Sequence, residues 1–392
     1  MKSHLMLPGP TPVPERVLSA MSRPMINHRG EEFAGLFREV TAGLQYVFQT
    51  EEEPVVLPAA GTGGLEAAVV NTLSPGDRVL ALVTGAFGER FAAIARAFGA
   101  QVEVLAAPAG RAVDLEALRA WLEQDLERPA AERFRAVLAT HNETSTGVTN
   151  PVEAIAPMVS RHGALLLVDA VSSLGAIDLP FDRLGLDVVV TGSQKALMCP
   201  PGLAVLALSQ RAWRAADTAR APRFYFDLRS YRKGAAKAQT PYTPALSLLY
   251  GLRESLAMIR EEGLEEGFRR HALLGRMTRA GIQALGLDLL ADARHASATV
   301  TAVVSPTSID LKELRRHARV VSGVTLAGGQ GDLADSIFRI GHLGHVGPAD
   351  VLVALAAVGD ALTAQGRAGA AGPDQAVAAA VRVLNEERGR KA

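Results

Sequence analysis

The residues of this chain best placed to do chemistry are Asp169 and Lys195, each delivered by a short apolar run. Ala164-Leu165-Leu166-Leu167-Val168 reads as a buried strand ending in a carboxylate. Leu186 to Val190 reads as a second strand, followed by the small-residue turn Thr191-Gly192-Ser193-Gln194 and then Lys195. A lysine amine condenses with an aldehyde, and an acidic residue keeps a pyridine nitrogen protonated so that the ring accepts electrons. Those are the two demands of pyridoxal 5'-phosphate, so Lys195 and Asp169 are the candidates for its Schiff base and its ring-nitrogen partner. A lone lysine after a strand is otherwise an ordinary surface residue. The surrounding sequence therefore decides between the two readings.

A phosphate needs several backbone N–H groups and a helix N-terminus. The loop Ala59-Ala60-Gly61-Thr62-Gly63-Gly64, directly before the helical pattern Leu65 to Val70, supplies both. Taken alone it is weak evidence and reads more readily as a plain structural turn. Its glycine spacing is not that of the dinucleotide fingerprint. Phe87, in Thr84-Gly85-Ala86-Phe87-Gly88, follows a strand end where an aromatic ring stacks on a planar ligand or simply joins the core. The polar run His141-Asn142-Glu143-Thr144-Ser145-Thr146-Gly147 follows another strand, and open α/β sheets place ligands at that edge.

Short apolar strands at about 54–57, 79–83, 101–105, 136–140, 165–168, 188–190 and 204–207 alternate with helical stretches at 31–48, from 63, and at 92–98, 115–126 and 151–162. That rhythm predicts an α/β domain with a largely parallel sheet covered on both faces. Residues 1–15 form an arm whose Pro8-Gly9-Pro10-Thr11-Pro12-Val13-Pro14 excludes helix and central strand, and such an arm must lie over something. The large domain is expected over 16–260. The aromatic, basic stretch from Arg220 to Pro244 breaks its rhythm, and a long helix from Ala245 to about Glu262 leads out of it. A smaller α+β domain follows over 261–364, with strands at 298–304 and 337–340 and helices at 311–318 and 349–362. A Gly/Ala linker and a C-terminal helix, Gln375 to Glu387, complete residues 365–392.

With 392 residues, 48% of them apolar, the chain can build a sizeable core. Lysine plus arginine equals aspartate plus glutamate at 41 each, so no net field recruits nucleic acid or an anionic membrane. The expected ligand is small. No run of about 18 apolar residues occurs and the first ten residues lack a signal-peptide core, so a cytoplasmic protein is expected. The single cysteine, Cys199, excludes an intrachain disulfide and a multi-cysteine metal site.

Taken in order, Pro8-Gly9-Pro10-Thr11-Pro12, the loop at 59–64, Phe87, the run at 141–147, Asp169, Gly192-Ser193-Gln194-Lys195 and Arg339-Ile340-Gly341 resemble the class V, fold-type I pyridoxal phosphate aminotransferases. Within them the resemblance is to the alanine or serine:glyoxylate group, which includes serine:pyruvate aminotransferases. It implies a Schiff base at Lys195 and a pyridinium partner at Asp169. It implies a phosphate cradle at Ala60, Gly61 and Thr62 with Gln194 beside it, a stacking ring at Phe87 and a hydroxyl on the ring-edge oxygen at Thr144. Arg339, with Gly9, matches substrate-binding positions, and a guanidinium suits the α-carboxylate as a planar bidentate donor. The resemblance further implies a homodimer in which the segment Thr240 to Pro244 reaches the neighbouring subunit's phosphate, through Thr243 and Thr240, the latter standing where some relatives carry tyrosine. The implied reaction is transamination between a small amino acid, alanine or serine, and a 2-oxo acid, glyoxylate or pyruvate.

For a dicarboxylic substrate the sequence offers only Arg232 or Lys233. His28, His342 and His345 read as structural. Two other readings remain open on the sequence. A cysteine desulfurase or selenocysteine lyase shares the fold but needs a nucleophilic thiol near Arg339, and Cys199 is far from it. A non-catalytic binding protein is opposed by the intact lysine, aspartate and arginine.

Overall fold

The computed structural model describes residues 3–366 and 372–391. Its large sheet runs in spatial order Val55–Leu57, Ala204–Leu208, Val188–Gly192, Leu165–Asp169, Ala136–Thr140, Arg78–Val83, Gln101–Ala106. The five strands from Val188–Gly192 to Gln101–Ala106 are mutually parallel, and Ala204–Leu208 closes the sheet antiparallel to both of its neighbours.

Alternation along each strand builds two cores. Leu166, Val168 and Val189 pack on one face with Phe33, Leu44 and Ile155. Leu165, Leu167, Val188 and Val190 pack on the other with Leu65, Val69 and Phe91. Both faces are covered, which is why these strands read as unbroken apolar runs. Each fully buried Leu, Val or Phe contributes about 1.5–3 kcal/mol.

Register then places the chemistry. Thr140 lies opposite Asp169, and Asp169 opposite Val190 two residues before Gly192, so three central strands end together. Helix Gly61–Thr72 starts at that same edge. It lies close to the sheet because Gly64 has no side chain: a Cβ there would stand 2.7 Å from Val190 Cγ1.

The second sheet, in order His4–Met6, Val324–Gly328, Ile337–Gly341, Val300–Val304, Asp288–Leu289, carries the helices Leu264–Ala284, Leu311–Val320 and Pro348–Ala364. Phe338 and Ile340 enter its core with Leu274, Leu355 and Val358. Ala376 and Ala380, from helix Pro373–Lys391, join the same core. Part of the expected linker before that helix, residues 367–371, lies outside the described residues. The proline-rich arm stays coil, but the residues before it form the edge strand His4–Met6, parallel to Val324–Leu326. Among the described residues no helix is long and apolar enough to cross a membrane.

Three elements had weak local signals. Helix Leu264–Ala284, separated from Leu246–Glu262 by Gly263 at φ 82°, buries Gly267, His271, Gly275 and Thr278 among its apolar residues, which dilutes the period. Strand Val324–Gly328 buries only Val324 and Leu326 fully. Helix Ala86–Ala97 begins six residues before the expected 92. Its N-terminus is held from a distance, because the backbone N–H groups of Phe87 and Gly88 donate to the Glu143 carboxylate at 3.1 and 3.0 Å.

Candidate active site

A cleft, open at its mouth, sits where the central strands end. Ala60, Gly61, Thr62, Phe87, Thr144, Asp169, Gln194 and Lys195, named from the sequence, all line it.

Asp169 is 4% exposed, and its Oδ1 accepts the Val171 N–H at 2.9 Å. Burial pushes its carboxyl up to about 6 and the negative charge of Glu143 adds to this, while the Val171 N–H, Lys195 and Arg90 oppose it. Lys195 shows the converse. Burial holds its amine down to about 8, with the charges of Arg339 and Arg90 acting the same way and Asp169 opposing. Its Nζ donates to the Pro8 carbonyl at 2.6 Å.

The arm therefore lies over the lysine. Thr11 N–H donates to the Gln194 carbonyl at 3.1 Å and Thr11 Oγ1 to that of Lys195 at 2.9 Å. Gly9 completes the contact: its φ is +143°, and a Cβ there would stand 2.4 Å from Lys195 Nζ. A side chain at that φ is strained and would displace the lysine's amine.

At the other end, helix Gly61–Thr72 has no side-chain cap, and the N–H groups of Gly61 and Thr62 have no partner among the described residues. A Cβ on Gly61 would meet Val171 Cγ2 at 2.7 Å, so glycine lets this helix start approach the cleft floor. Gln194 Oε1 is buried without a hydrogen-bond partner. Unpaired donors at a helix N-terminus form an anion seat.

Thr144 joins a polar network that the sequence did not single out. Its Oγ1 donates to Ser172 Oγ at 2.7 Å, and Ser172 Oγ donates to the Asn142 carbonyl at 2.9 Å. Asn142 Nδ2 in turn donates to Ser172 Oγ at 2.9 Å and to Thr299 Oγ1 of the smaller unit at 3.0 Å. Asn142 and Ser172 line the cleft, as does Arg90. The hint available in the sequence was position alone: Asn142 stands two residues before Thr144, and Ser172 three after Asp169.

Arg339 is 5% exposed in the centre of strand Ile337–Gly341, paired with Ala302 and Ala327 on its two sides. Its neighbours Phe338 and Ile340 fill the core, so alternation turns Arg339 away from it. Nε donates to the Gly328 carbonyl at 2.8 Å and Nη1 to that of Thr144 at 3.0 Å. Burial lowers its pKa and the charge of Glu143 opposes the shift, yet no carboxylate touches it and Nη2 has no partner among the described residues. A buried guanidinium with a free edge is a seat for an incoming carboxylate.

Thr240 and Thr243 are not brought to this cleft within the chain. They line a separate groove with Phe37, Val56 and Pro244, and Thr240 Oγ1 donates to the Tyr242 carbonyl at 2.6 Å. Arg232 lies over the Trp213 ring at 4.8 Å, also outside the cleft. His342 is buried between Thr301 Oγ1 and the Ala298 carbonyl, and burial holds it down to about 3. Cys199 is a core group whose Sγ lies 3.7 Å from the Leu248 carbonyl, and burial pushes the thiol up to about 12.

The model of the Aminotransferase class-V family matches residues 4–321. A protein named soluble hydrogenase, small subunit, from Synechococcus is 45% identical over 385 residues, 98% of this chain and 99% of the relative. The serine–glyoxylate aminotransferase of Methylorubrum extorquens is 38% identical, covering 91% of this chain and 90% of its own. Among solved structures, the pyridoxamine–pyruvate aminotransferase of Mesorhizobium loti superposes with a TM-score of 0.92 at 32% identity over 98% of this chain and 97% of that one. Likeness running from the first strand through the second sheet, in sequence and in backbone, makes this chain a member of the class-V aminotransferases, a transaminase of fold-type I.

Proposed function

We propose that the protein transfers the amino group of alanine or serine to glyoxylate or pyruvate, with pyridoxal 5'-phosphate held on Lys195. One observation carries the reading: Lys195 and Asp169 line one cleft, each within reach of the other's charge, and Arg339, held to the Thr144 carbonyl, is near enough for its charge to act on Lys195. The residues present fit the cofactor. The free N–H groups of Gly61 and Thr62 and the orphaned Gln194 suit its phosphate, the unshared oxygen of Asp169 its ring nitrogen, Phe87 its ring face and Thr144 its ring-edge oxygen. When bound, the cofactor supplies an electron-accepting ring and the aldehyde on which the amino group is carried.

The protein does the rest. Arg339 grips the α-carboxylate that donor and acceptor share. Lys195, with its amine poised near neutrality, takes the proton from the substrate Cα and returns it on the far side of the transfer. The Pro8 carbonyl holds the lysine whenever it is free and charged. Asp169 keeps a negative charge beside the ring. A desulfurase reading gains no support, because the chain's sole cysteine is inert in the core.

The test is a donor and acceptor screen with purified, cofactor-loaded protein, in which alanine or serine with glyoxylate or pyruvate gives the highest kcat/KM. No turnover with any of the three productive pairs, alanine–glyoxylate, serine–glyoxylate and serine–pyruvate, overturns the reading. In the same assay Arg339→Lys keeps the charge but loses the fork, weakening donor and acceptor alike by about 1.5–3 kcal/mol each. Loss of only one of them places the carboxylate seat elsewhere.

The groove holding Thr240 and Thr243 suits a homodimer in which each chain lends this segment to its partner's phosphate. The nearby Phe224, 79% exposed, supplies apolar surface for such a contact. Mixing Lys195→Ala with Thr243→Trp then regenerates one intact site per hybrid dimer, and activity returns as subunits exchange. Verified hybrids without activity exclude a shared site.

A further inference from the structure

Arg90 is a cation in the cleft that the proposed reaction of alanine or serine does not use. It is the fifth residue of helix Ala86–Ala97, lines the cleft beside Phe87, and sets its guanidinium 4.9 Å above the Phe87 ring centre. That contact orients a planar cation. Residues three and four away on a helix are neighbours, and those of Arg90 are Ala86, Phe87, Ala93 and Ile94, none of which bears charge. Arg119, Arg269 and Arg316, by contrast, each have a glutamate three residues before them and pair with it. Arg90 makes no ion pair and no side-chain hydrogen bond within the described residues.

We propose that Arg90 is a second anion seat, for the side-chain carboxylate of an acidic amino acid such as aspartate, while Arg339 holds the α-carboxylate. The proposal rests on the reading of Lys195 and Arg339 given above and widens its donor class. Three facts support it. Arg339 already spends two of its nitrogens on backbone carbonyls, so its free edge serves one carboxylate. The two arginines come from different units, one from the helix after strand Arg78–Val83 and one from the second sheet, and both act on the Lys195 amine. The carboxylates nearby make other hydrogen bonds, Asp169 to the Val171 N–H and Glu143 to the helix start and Ser145. Arg90's charge acts on Asp169, but neither carboxylate forms an ion pair with it among the described residues. A donor with a methyl or hydroxymethyl side chain has nothing to offer it, whereas a second carboxylate meets a charged, planar donor already fixed on an aromatic ring.

The experiment compares wild-type, Arg90→Gln and Arg90→Lys holoenzymes. The ratio of kcat/KM for aspartate to that for alanine falls about tenfold or more in Arg90→Gln and is partly rescued in Arg90→Lys. Calorimetry on the same proteins, independent of turnover, shows succinate binding weakened by a similar factor with propionate unaffected. Equal losses for aspartate and alanine overturn the proposal. So does a raised cofactor dissociation constant, which assigns Arg90 to the phosphate, and so does wild-type turnover of alanine without aspartate. If wild type turns over neither donor, what fails is the reading of the cleft itself.

Discussion

Lys195→Ala is expected to eliminate transamination, lowering kcat on the order of 10⁴-fold or more, since the proposed proton carrier is removed together with the proposed attachment point of the cofactor. The variant also lacks the visible absorbance of lysine-bound cofactor, and borohydride reduction followed by peptide mapping labels residue 195 in wild type alone. Label on another lysine defeats the assignment. Folding is not the confounder. Truncation loses the buried stem of the side chain, yet it also relieves a buried ammonium, and the two effects oppose each other in the melting temperature. The depressed amine makes a second prediction of the same residue. Held down to about 8, it is neutral in roughly a quarter of apoprotein molecules at pH 7.5, against about one in a thousand for an ordinary lysine. Cofactor capture by the apoprotein therefore accelerates from pH 7 to 8 and levels off above it. A rate still climbing tenfold per pH unit at pH 9 contradicts this placement of the amine.

Asp169→Asn is the second large effect. Asparagine still presents an oxygen of the same reach, so cofactor affinity falls only modestly, but the negative charge that holds the ring nitrogen protonated is gone. The charge matters most where the ring draws electrons from the substrate, so the cost falls on proton abstraction: about 100-fold in single-turnover rate, equivalent to about 2.7 kcal/mol. The energetic direction follows from the apoprotein. Burial already pushes the Asp169 carboxyl up to about 6, which means the site pays to keep it ionised until an opposite charge arrives beside it. A variant with near-normal single turnovers removes the electron-sink role from Asp169, and one that fails to retain cofactor reassigns it to binding.

Much of this was legible in the chain alone, for a local reason. Strands such as Ala136–Thr140 and Leu165–Asp169 and helices such as Glu31–Phe48 and Leu115–Leu126 announce themselves because burial on one or both faces imposes a period on neighbouring residues. Motifs at successive strand ends then identify Asp169, Lys195, Gly61 and Phe87, because a sheet whose strands run parallel must gather those ends along one edge.

Tertiary structure decided what depends on contacts between distant residues. The helix carrying Phe87 and Arg90 starts where it does because Glu143, more than fifty residues on, caps it. The arm's place was invisible until the Pro8 carbonyl met Lys195 Nζ and Gly9, at a φ that strains any side chain, lay against it. Only the packing of the second sheet on the first showed that Arg339 spends two nitrogens on backbone and keeps one free, and that Thr144 is tied through Ser172 and Asn142 to Thr299. The local pattern shows that Arg90 has no counter-charge on its own helix face, but only the fold shows that no distant carboxylate pairs with it either. Periodicity reports which face of an element is buried; which partners meet that face, and which charges go unanswered, follows from elements brought together across the whole chain.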